Sequence, residues 1–251
     1  KKVTKDIIQI NTNDKYQLYY EKIKNKFPVY SKQENGFENT QISSFIDNLF
    51  LDKCLDIAPL VSIIIPVHNH FSDTLNCLKS LNEINDKIPF EIIIVDDCST
   101  DESILIFQNC KNIRYIRNES NLGFLRSCNI GANNALGDYL LLLNNDTLVL
   151  PGWLGNLIKT FQVYPNTGLV GSKLLYPDGT LQEAGGIIWE DGGGLNFGRN
   201  DDPQKPEYKY LRNVDYCSGA SICVPKKLWI DLKGFDELFV PAYYEDTDLA
   251  F

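Results

Sequence analysis

Four short apolar runs, each followed by apolar residues at helical spacing, constrain this chain more than any other feature. Val61-Ser62-Ile63-Ile64-Ile65 and Glu91-Ile92-Ile93-Ile94-Val95 are nearly unbroken β-branched stretches. Such stretches suit strands buried on both faces, because a half-exposed strand would alternate apolar with polar. Between them Ser72-Asp73 offers a helix cap ahead of Leu75, Leu78 and Leu81. Ser99-Thr100-Asp101 offers another ahead of Ile104, Leu105 and Phe107. Ile113-Arg114-Tyr115-Ile116 reads as a third strand. Asn129 to Leu136 reads as a helix closed by Gly137 at its C′ position, and Tyr139-Leu140-Leu141-Leu142-Leu143 as a fourth strand. Strand and helix alternating four times predict an α/β fold with a parallel, doubly wound sheet, which binds ligands at the carboxyl ends of its strands.

The flanks differ. After Pro151, Trp153, Leu154, Leu157, Ile158 and Phe161 predict one more helix. Residues 176–210 are then rich in Gly, Pro, Asp and Asn, including Gly192-Gly193-Gly194. Short strands are expected at 168–175, 186–189 and 220–224, in a mixed half with long loops. Residues 1–58 are rich in Lys, Asn, Asp and Gln. Ile7, Ile10, Leu18, Tyr19, Ile23, Ile42, Phe45, Ile46 and Leu49 recur there at helical spacing, broken near Pro28 and Gly36. This predicts a helical N-terminal extension or linker, 1–58, before a domain at 59–251 that divides near residue 150.

Composition removes several classes of function. With 24 Lys+Arg against 33 Asp+Glu the net charge is −9, the opposite of a nucleic-acid binder's basic footprint. A local nucleotide site remains open, since a metal ion can offset phosphate charge. Seven scattered cysteines form no CxxC, and the two histidines, His68 and His70, cannot complete a zinc site of usual spacing. A reduced, cytoplasmic chain is expected. No apolar run approaches the ~18 residues of a membrane span, and no apolar h-region follows the Lys-rich start. Met is absent even at position 1, so the chain reads as a piece of a longer polypeptide with further domains.

Polar residues gather just after the strands. Pro66-Val67-His68-Asn69 ends the first, Asp96-Asp97-Cys98-Ser99 the second, and Asn144-Asn145-Asp146-Thr147 the fourth. A parallel sheet brings these ends to one edge. Ser99 and Asp101 read as caps. Asp96, Asp97 and Asp146 read as functional, because three carboxylates on one edge repel unless a cation or a donor-rich ligand uses them. Neither GxGxxG after the first strand nor GxxxxGK[ST] occurs, which excludes a dinucleotide fold and a P-loop. A pyrophosphate would then need a metal, with Asp146 the candidate ligand, and an arginine clamp, with Arg126 the candidate. A second acidic cluster, Glu245-Asp246-Thr247-Asp248, follows the aromatic run Phe239 to Tyr244.

Taken together these pieces resemble the inverting family-2 nucleotide-sugar glycosyltransferases with the GT-A fold. The resemblance rests on Val61 to Asn69, Val95 to Asp101, Asn121-Leu122-Gly123-Phe124 with Asn129-Ile130-Gly131-Ala132, Leu143 to Thr147, and Tyr244 to Leu249, in this order. Asp215-Tyr216-Cys217-Ser218-Gly219-Ala220 and Gly234-Phe235-Asp236 resemble the rhamnosyl- and O-antigen-type subgroup. The resemblance implies a Rossmann-like, mixed, mostly parallel sheet flanked by helices, with a nucleotide-binding half at 59–150 and an acceptor half at 151–251 truncated at its C-terminus. It implies a UDP- or dTDP-sugar donor, a glycan or lipid-linked glycan acceptor, and Mn²⁺ or Mg²⁺. Pro66, His68 and Asn69 would line the base pocket, and Asp97 would accept the N3–H of uracil or thymine. Asp146 matches the last acid of a DxD motif that reads Asn144-Asn145-Asp146 here, so Asn145 would face the donor and the metal would be held largely by diphosphate and water. Asp246 matches the catalytic base, with Glu245, Cys217, Ser218 and Gly219 beside the acceptor. Lipid-linked acceptors would bring the chain to the inner face of the membrane as a peripheral contact.

Other readings fit less well. A phosphoacceptor receiver domain also has a strand ending in Asp-Asp. It needs that pair after its first strand, though, and an Asp where Thr147 stands. A sugar-nucleotide pyrophosphorylase needs a basic Gly-rich loop where His68-Asn69-His70-Phe71 stands. A non-catalytic sugar-binding or scaffold module of the same fold is opposed by the retention of Asp97, Asp146 and Asp246.

Overall fold

The computed structural model describes residues 58–84 and 86–251, together with 44, 46–48, 50 and the backbone strand at 4–8. Strands are β1 Thr4–Ile8, β2 Val61–Val67, β3 Phe90–Asp96, β4 Arg114–Arg117, β5 Tyr139–Leu143, β6 Thr167–Ser172, β7 Leu174–Leu175, β8 Leu181–Glu183, β9 Gly186–Ile188, β10 Gly194–Asn196, β11 Arg212–Asn213 and β12 Ser221–Pro225. Helices are α1 Phe71–Glu83, α2 Ser103–Phe107, α3 Phe124–Asn133, α4 Trp153–Val163, α5 Lys226–Leu232 and α6 Glu245–Ala250.

The main sheet has eight strands in the order β11-β1-β6-β12-β5-β2-β3-β4. The expected parallel core is present: β5, β2, β3 and β4 are neighbours and all parallel. β12 runs antiparallel to both β5 and β6, which makes the sheet mixed. β9 with β10 and β7 with β8 form two small antiparallel pairs in the loop-rich region.

The apolar runs are buried on both faces because alternate residues serve two cores. Ile63, Ile65, Ile92, Ile94, Leu141 and Leu143 pack with Leu75 and Leu78 of α1 and Leu154 and Leu157 of α4. Ile64, Ile93, Val95, Leu140 and Leu142 face Leu125, Cys128 and Ala132 of α3, and Trp229 and Phe235. Helices on both faces of a parallel sheet explain why these runs carry no period-two alternation.

Several local expectations are corrected. α1 begins at Phe71, so Ser72 and Asp73 lie inside its first turn and cap nothing. Its cap comes from the next loop: Asp101 Oδ2 accepts from Phe71 N–H at 2.9 Å, while Oδ1 accepts from Ser103 N–H at 3.0 Å. α3 starts at Phe124 and ends at Asn133, so Gly137 is no C′ residue. A Cβ there would fall 2.6 Å from the Ser62 amide nitrogen, so Gly137 is required for close approach to β2. In the extension, Thr4–Ile8, which includes Ile7, is a strand. It pairs parallel with β6 and antiparallel with β11. An open sheet edge offers a row of backbone partners, and such long-range pairing leaves no trace in local spacing. Residues 46–48 are helical as expected. Ile46 and Phe50 are buried in the α1-side core, and Asp47 Oδ1 accepts from the amides of Lys111 at 2.6 Å and Asn112 at 3.1 Å. The remaining helical spacing, at Ile10, Leu18, Tyr19, Ile23, Ile42, Phe45 and Leu49, lies outside the described residues. Among the described residues no helix is long and apolar enough to cross a membrane.

Candidate active site

The carboxyl ends of β2, β3 and β5 lie side by side, because each pairs with its neighbour in register. Just beyond β2 the chain turns sharply. Asn69 and His70 both adopt left-handed backbone, with φ of 60° and 58°, conformations found preferentially at turns and functional sites. Asn69 fastens this turn to the loop after β3. Its N–H donates to Ser99 Oγ at 2.7 Å, and its Oδ1 accepts from Thr100 N–H at 2.7 Å. His68 is exposed, with Nδ1 2.7 Å from the Asp97 carbonyl. A carbonyl only accepts, so the proton sits on Nδ1. Pro66 is buried within β2.

The two adjacent acids after β3 have different tasks. Asp96 is fully buried and accepts from Ser99 N–H at 2.7 Å, from the Tyr115 hydroxyl and from Arg117. Burial raises its carboxyl, but these donors outweigh burial and hold it below the usual carboxylate range. Asp96 is therefore a structural anchor, and its expected functional role is corrected: a strand-end acid facing the sheet interior ties β3 to β4. Asp97 is 4% exposed. Its Oδ1 accepts from Leu122 N–H at 2.7 Å and Asn118 Nδ2 at 2.8 Å, and its Oδ2 from Gly123 N–H at 2.7 Å. Three donors leave a carboxylate with about one unused acceptor position. Asn121 Nδ2 approaches the His68 ring at 3.4 Å, so His68, Asp97 and Asn121 form one cluster.

After β5, Asp146 is exposed and lines a cavity of about 440 Å³ with Asp73, Asn144, Lys173 and Ser221. Asn144 Oδ1 is buried without a hydrogen-bond partner. Asn145 turns away, donating Nδ2 to Thr74 Oγ1 on α1 at 3.0 Å. Asp146 and Asn144 both line this cavity, and their side-chain oxygens are donors of the type Mg²⁺ and Mn²⁺ prefer. Among the described residues no three His, Cys, Asp or Glu side chains cluster as a metal site. Arg126 is not in this cavity. It pairs with Glu237 at 3.1 Å and lines a separate groove with Trp229 and Lys233.

The turn before β12 meets the second acidic cluster, on α6, at the same edge. The first residue of β12, Ser221, pairs with Leu143 at the end of β5, and Asn144 N–H donates to Ala220 O at 3.0 Å. In the turn before β12, Gly219 N–H donates to Asp246 Oδ2 at 2.8 Å. Ser218 Oγ accepts from Ala220 N–H at 3.3 Å, and Cys217 is buried beneath. A Cβ at Gly171 would lie 2.4 Å from the Cys217 Cβ, so only glycine lets β6 approach this turn. α6 separates its acids: Asp246 is partly exposed, whereas Glu245 is 8% exposed with Oε2 unpartnered. Burial, followed by the charge of Asp246, raises the Glu245 carboxyl. Its charge is also felt at Cys128 of α3, so Glu245 turns toward the core. Tyr243 and Tyr244, just before it, hold left-handed backbone at φ 80° and 71°. The Tyr244 hydroxyl donates to Gly192 O at 3.0 Å, tying the β9–β10 turn to α6.

Sequence reasoning missed Glu183. It is 1% exposed on β8, and its Oε1 accepts from Ser218 N–H at 2.9 Å, the amide beside the one held by Asp246. Its signal is the two-residue offset from the fully buried Leu181, which puts both side chains on one face of a strand.

The glycosyl transferase family 2 profile matches residues 62–238, well over half of the chain. The O-antigen biosynthesis protein RfbC of Myxococcus xanthus is 32% identical over 196 residues, which are 72% of this chain and 15% of RfbC. The Sinorhizobium fredii protein y4gI is 27% identical over 76% of this chain and 22% of its own length. The chain thus spans less than a quarter of these two relatives. Staphylococcus aureus TarS 1-349 in complex with UDP-GlcNAc shares the fold with a TM-score of 0.53 and 20% identity, over 76% of this chain and 52% of TarS 1-349. The mannosyltransferase PcManGT of Pyrobaculum calidifontis, in complex with GDP-Man and Mn²⁺, has a TM-score of 0.53 at 15% identity, over 93% and 62% of the two chains. A mixed, mostly parallel sheet in which β12 is reversed, flanked by helices and with an acidic helix at its carboxyl edge, is thus the GT-A architecture, and the chain belongs to glycosyl transferase family 2.

Proposed function

We propose that the chain transfers a sugar from a UDP- or dTDP-linked donor to a hydroxyl of a glycan or lipid-linked glycan, with inversion and with help from a divalent cation. What carries this reading is the convergence of Asp97, Asp146 and Asp246, from distant parts of the chain, on one sheet edge within a family-2 domain. His68 and Asn121 offer a ring face and an amide for a base, and the unused acceptor position on Asp97 suits the lone N–H between two carbonyls of uracil or thymine. The complexes of TarS with UDP-GlcNAc and of PcManGT with GDP-Man and Mn²⁺ support a nucleotide-sugar donor and a metal.

Asp146 and the Asn144 amide oxygen would hold Mn²⁺ or Mg²⁺, which supplies charge stabilisation to the departing diphosphate. Asp246 takes the acceptor hydroxyl proton as that oxygen attacks the anomeric carbon. One displacement with the base opposite the leaving group inverts the centre. Gly219 N–H fixes one Asp246 oxygen and leaves the other for the acceptor, with Thr247 Oγ1 3.3 Å from it. RfbC supports an O-antigen-type glycan as the acceptor class, and residues 151–251 would be the half that receives it. Calorimetric titration with UDP, dTDP, GDP and ADP, with and without Mn²⁺, tests the donor. Metal-dependent preference for UDP or dTDP is expected, and equal affinity for all four would exclude the base-reading role of Asp97.

A further inference from the structure

Glu183 is a buried acid with an idle oxygen beside the Asp246 carboxylate. Its Oε2 is buried and has no hydrogen-bond partner. Among the described residues it pairs with no Lys or Arg. A buried polar atom without a partner is destabilising by about 1–3 kcal/mol, and fully buried ionised acids are normally paired.

The neighbours of Glu183 define what it can do. Ser218 N–H donates to Glu183 and the next amide, Gly219 N–H, donates to Asp246. Two carboxylates, from β8 and α6, thus grip successive amides of one turn. The titratable groups facing Glu183 are Asp246 from α6 and Tyr216 from the segment before the turn. Tyr216 is 8% exposed and donates its hydroxyl to Asn196 Oδ1 at 3.0 Å, so it supplies no proton to Glu183. Asp246 is therefore the group with which Glu183 exchanges electrostatic influence.

We propose that Glu183 is a positioning residue for Asp246, fixing the Ser218–Gly219 turn that aims the Asp246 carboxylate and making the carboxylate pair a stronger proton acceptor once Glu183 ionises. This rests on the reading of Asp246 as the base. Burial raises the Glu183 carboxyl, the Ser218 amide lowers it, and the charge of Asp246 raises it again, to about 7 overall. Near neutral pH the pair thus passes from one negative charge to two. A proton taken from an acceptor hydroxyl is bound more tightly by two adjacent negative charges than by one.

The test uses carbon-13 NMR of the carboxyl carbons in the full chain labelled at Glu. One Glu resonance is expected to titrate near pH 7 in the wild type and to be absent in Glu183→Gln. If that variant does not fold, its persistence in Glu245→Gln identifies it instead. In Asp246→Asn its midpoint is expected to fall, because the like charge that raises it is gone. An unmoved midpoint in Asp246→Asn, or no Glu titrating near neutrality, would overturn the proposal. Sugar transfer by Asp246→Asn tests the separate reading of Asp246 as the base, so the two failures are distinguishable.

Discussion

Gly131 of α3 lies so close to Ile64 of β2 that a Cβ would fall 2.4 Å from the Ile64 Cγ2. This approach seats α3 against the sheet, and the amides at its N-terminal side then reach Asp97. Gly131→Ala must push the helix outward or distort Ile64. Although alanine is the better helix former, overpacking of this kind costs about 1–3 kcal/mol. The expected result is a lower midpoint in urea, with weaker nucleotide binding because the Leu122 and Gly123 amides shift.

Asp97→Ala removes the acceptor for Leu122 N–H, Gly123 N–H and Asn118 Nδ2 at once. Each donor left unsatisfied where water cannot reach it is destabilising by about 1–3 kcal/mol. Loss of both stability and UDP binding is expected, measured by urea denaturation and calorimetry. Full stability in this variant would mean that water replaces the carboxylate.

Asp146 is exposed, and among the described residues its side chain forms no hydrogen bond that would hold the fold. Asp146→Ala should leave the thermal midpoint within about 2 °C of the wild type, since surface changes stay within about 0.5 kcal/mol. Mn²⁺-dependent nucleotide binding should be lost, and EDTA should reproduce that loss in the wild type.

Asp246→Asn keeps an oxygen for Gly219 N–H, so the turn before β12 should survive. Removing a positioned base lowers the rate by about 10²–10⁴-fold. Donor affinity should be unchanged by calorimetry while transfer falls within that range. Wild-type transfer by Asp246→Asn combined with inactivity of Glu245→Gln would move the base by one residue.

Stability should depend on pH in two opposed steps. The Glu183 carboxyl is raised from 4.5 to about 7 on folding, so the folded state binds the extra proton. Its contribution is complete below pH 4.5 and is lost as pH rises through 7. The Lys173 ammonium is lowered from 10.5 to about 8, first by burial and then by the nearby Lys209. Between pH 8 and 10.5 the unfolded chain binds more protons at this site, so stability rises. A shallow minimum near pH 7–8 is expected in urea midpoints. Glu183→Gln should remove its acid-side slope and Lys173→Met its alkaline-side slope.

The parallel core was readable because β-branched runs and caps are local signals. β5 occupies the predicted span Tyr139–Leu143, and β4 begins one residue after the predicted Ile113. The path of β1 and the donor of the α1 cap were not readable, since both depend on partners far along the chain. The gathering of Asp97 and Asp146 followed from counting strand ends, whereas the place of Asp246 came with the family resemblance. The burial of Asp96 did not, because adjacent acids at a strand end differ only in the face they take, and Tyr115 and Arg117, which claim Asp96, lie on the next strand. Arg126 looked free for a diphosphate in sequence, but Glu237, 111 residues later, occupies it.

The reversal of β12 changes what this edge can offer. The parallel strands β2, β3 and β5 finish at this edge, whereas β12 enters the sheet from it. The turn that feeds β12 therefore stands at the same rim, and the amides of Ser218 and Gly219 are offered there rather than at the far end of the sheet. One inverted segment thus adds a foothold of hydrogen-bond donors to the rim, and on it Glu183 and Asp246 stand as close neighbours.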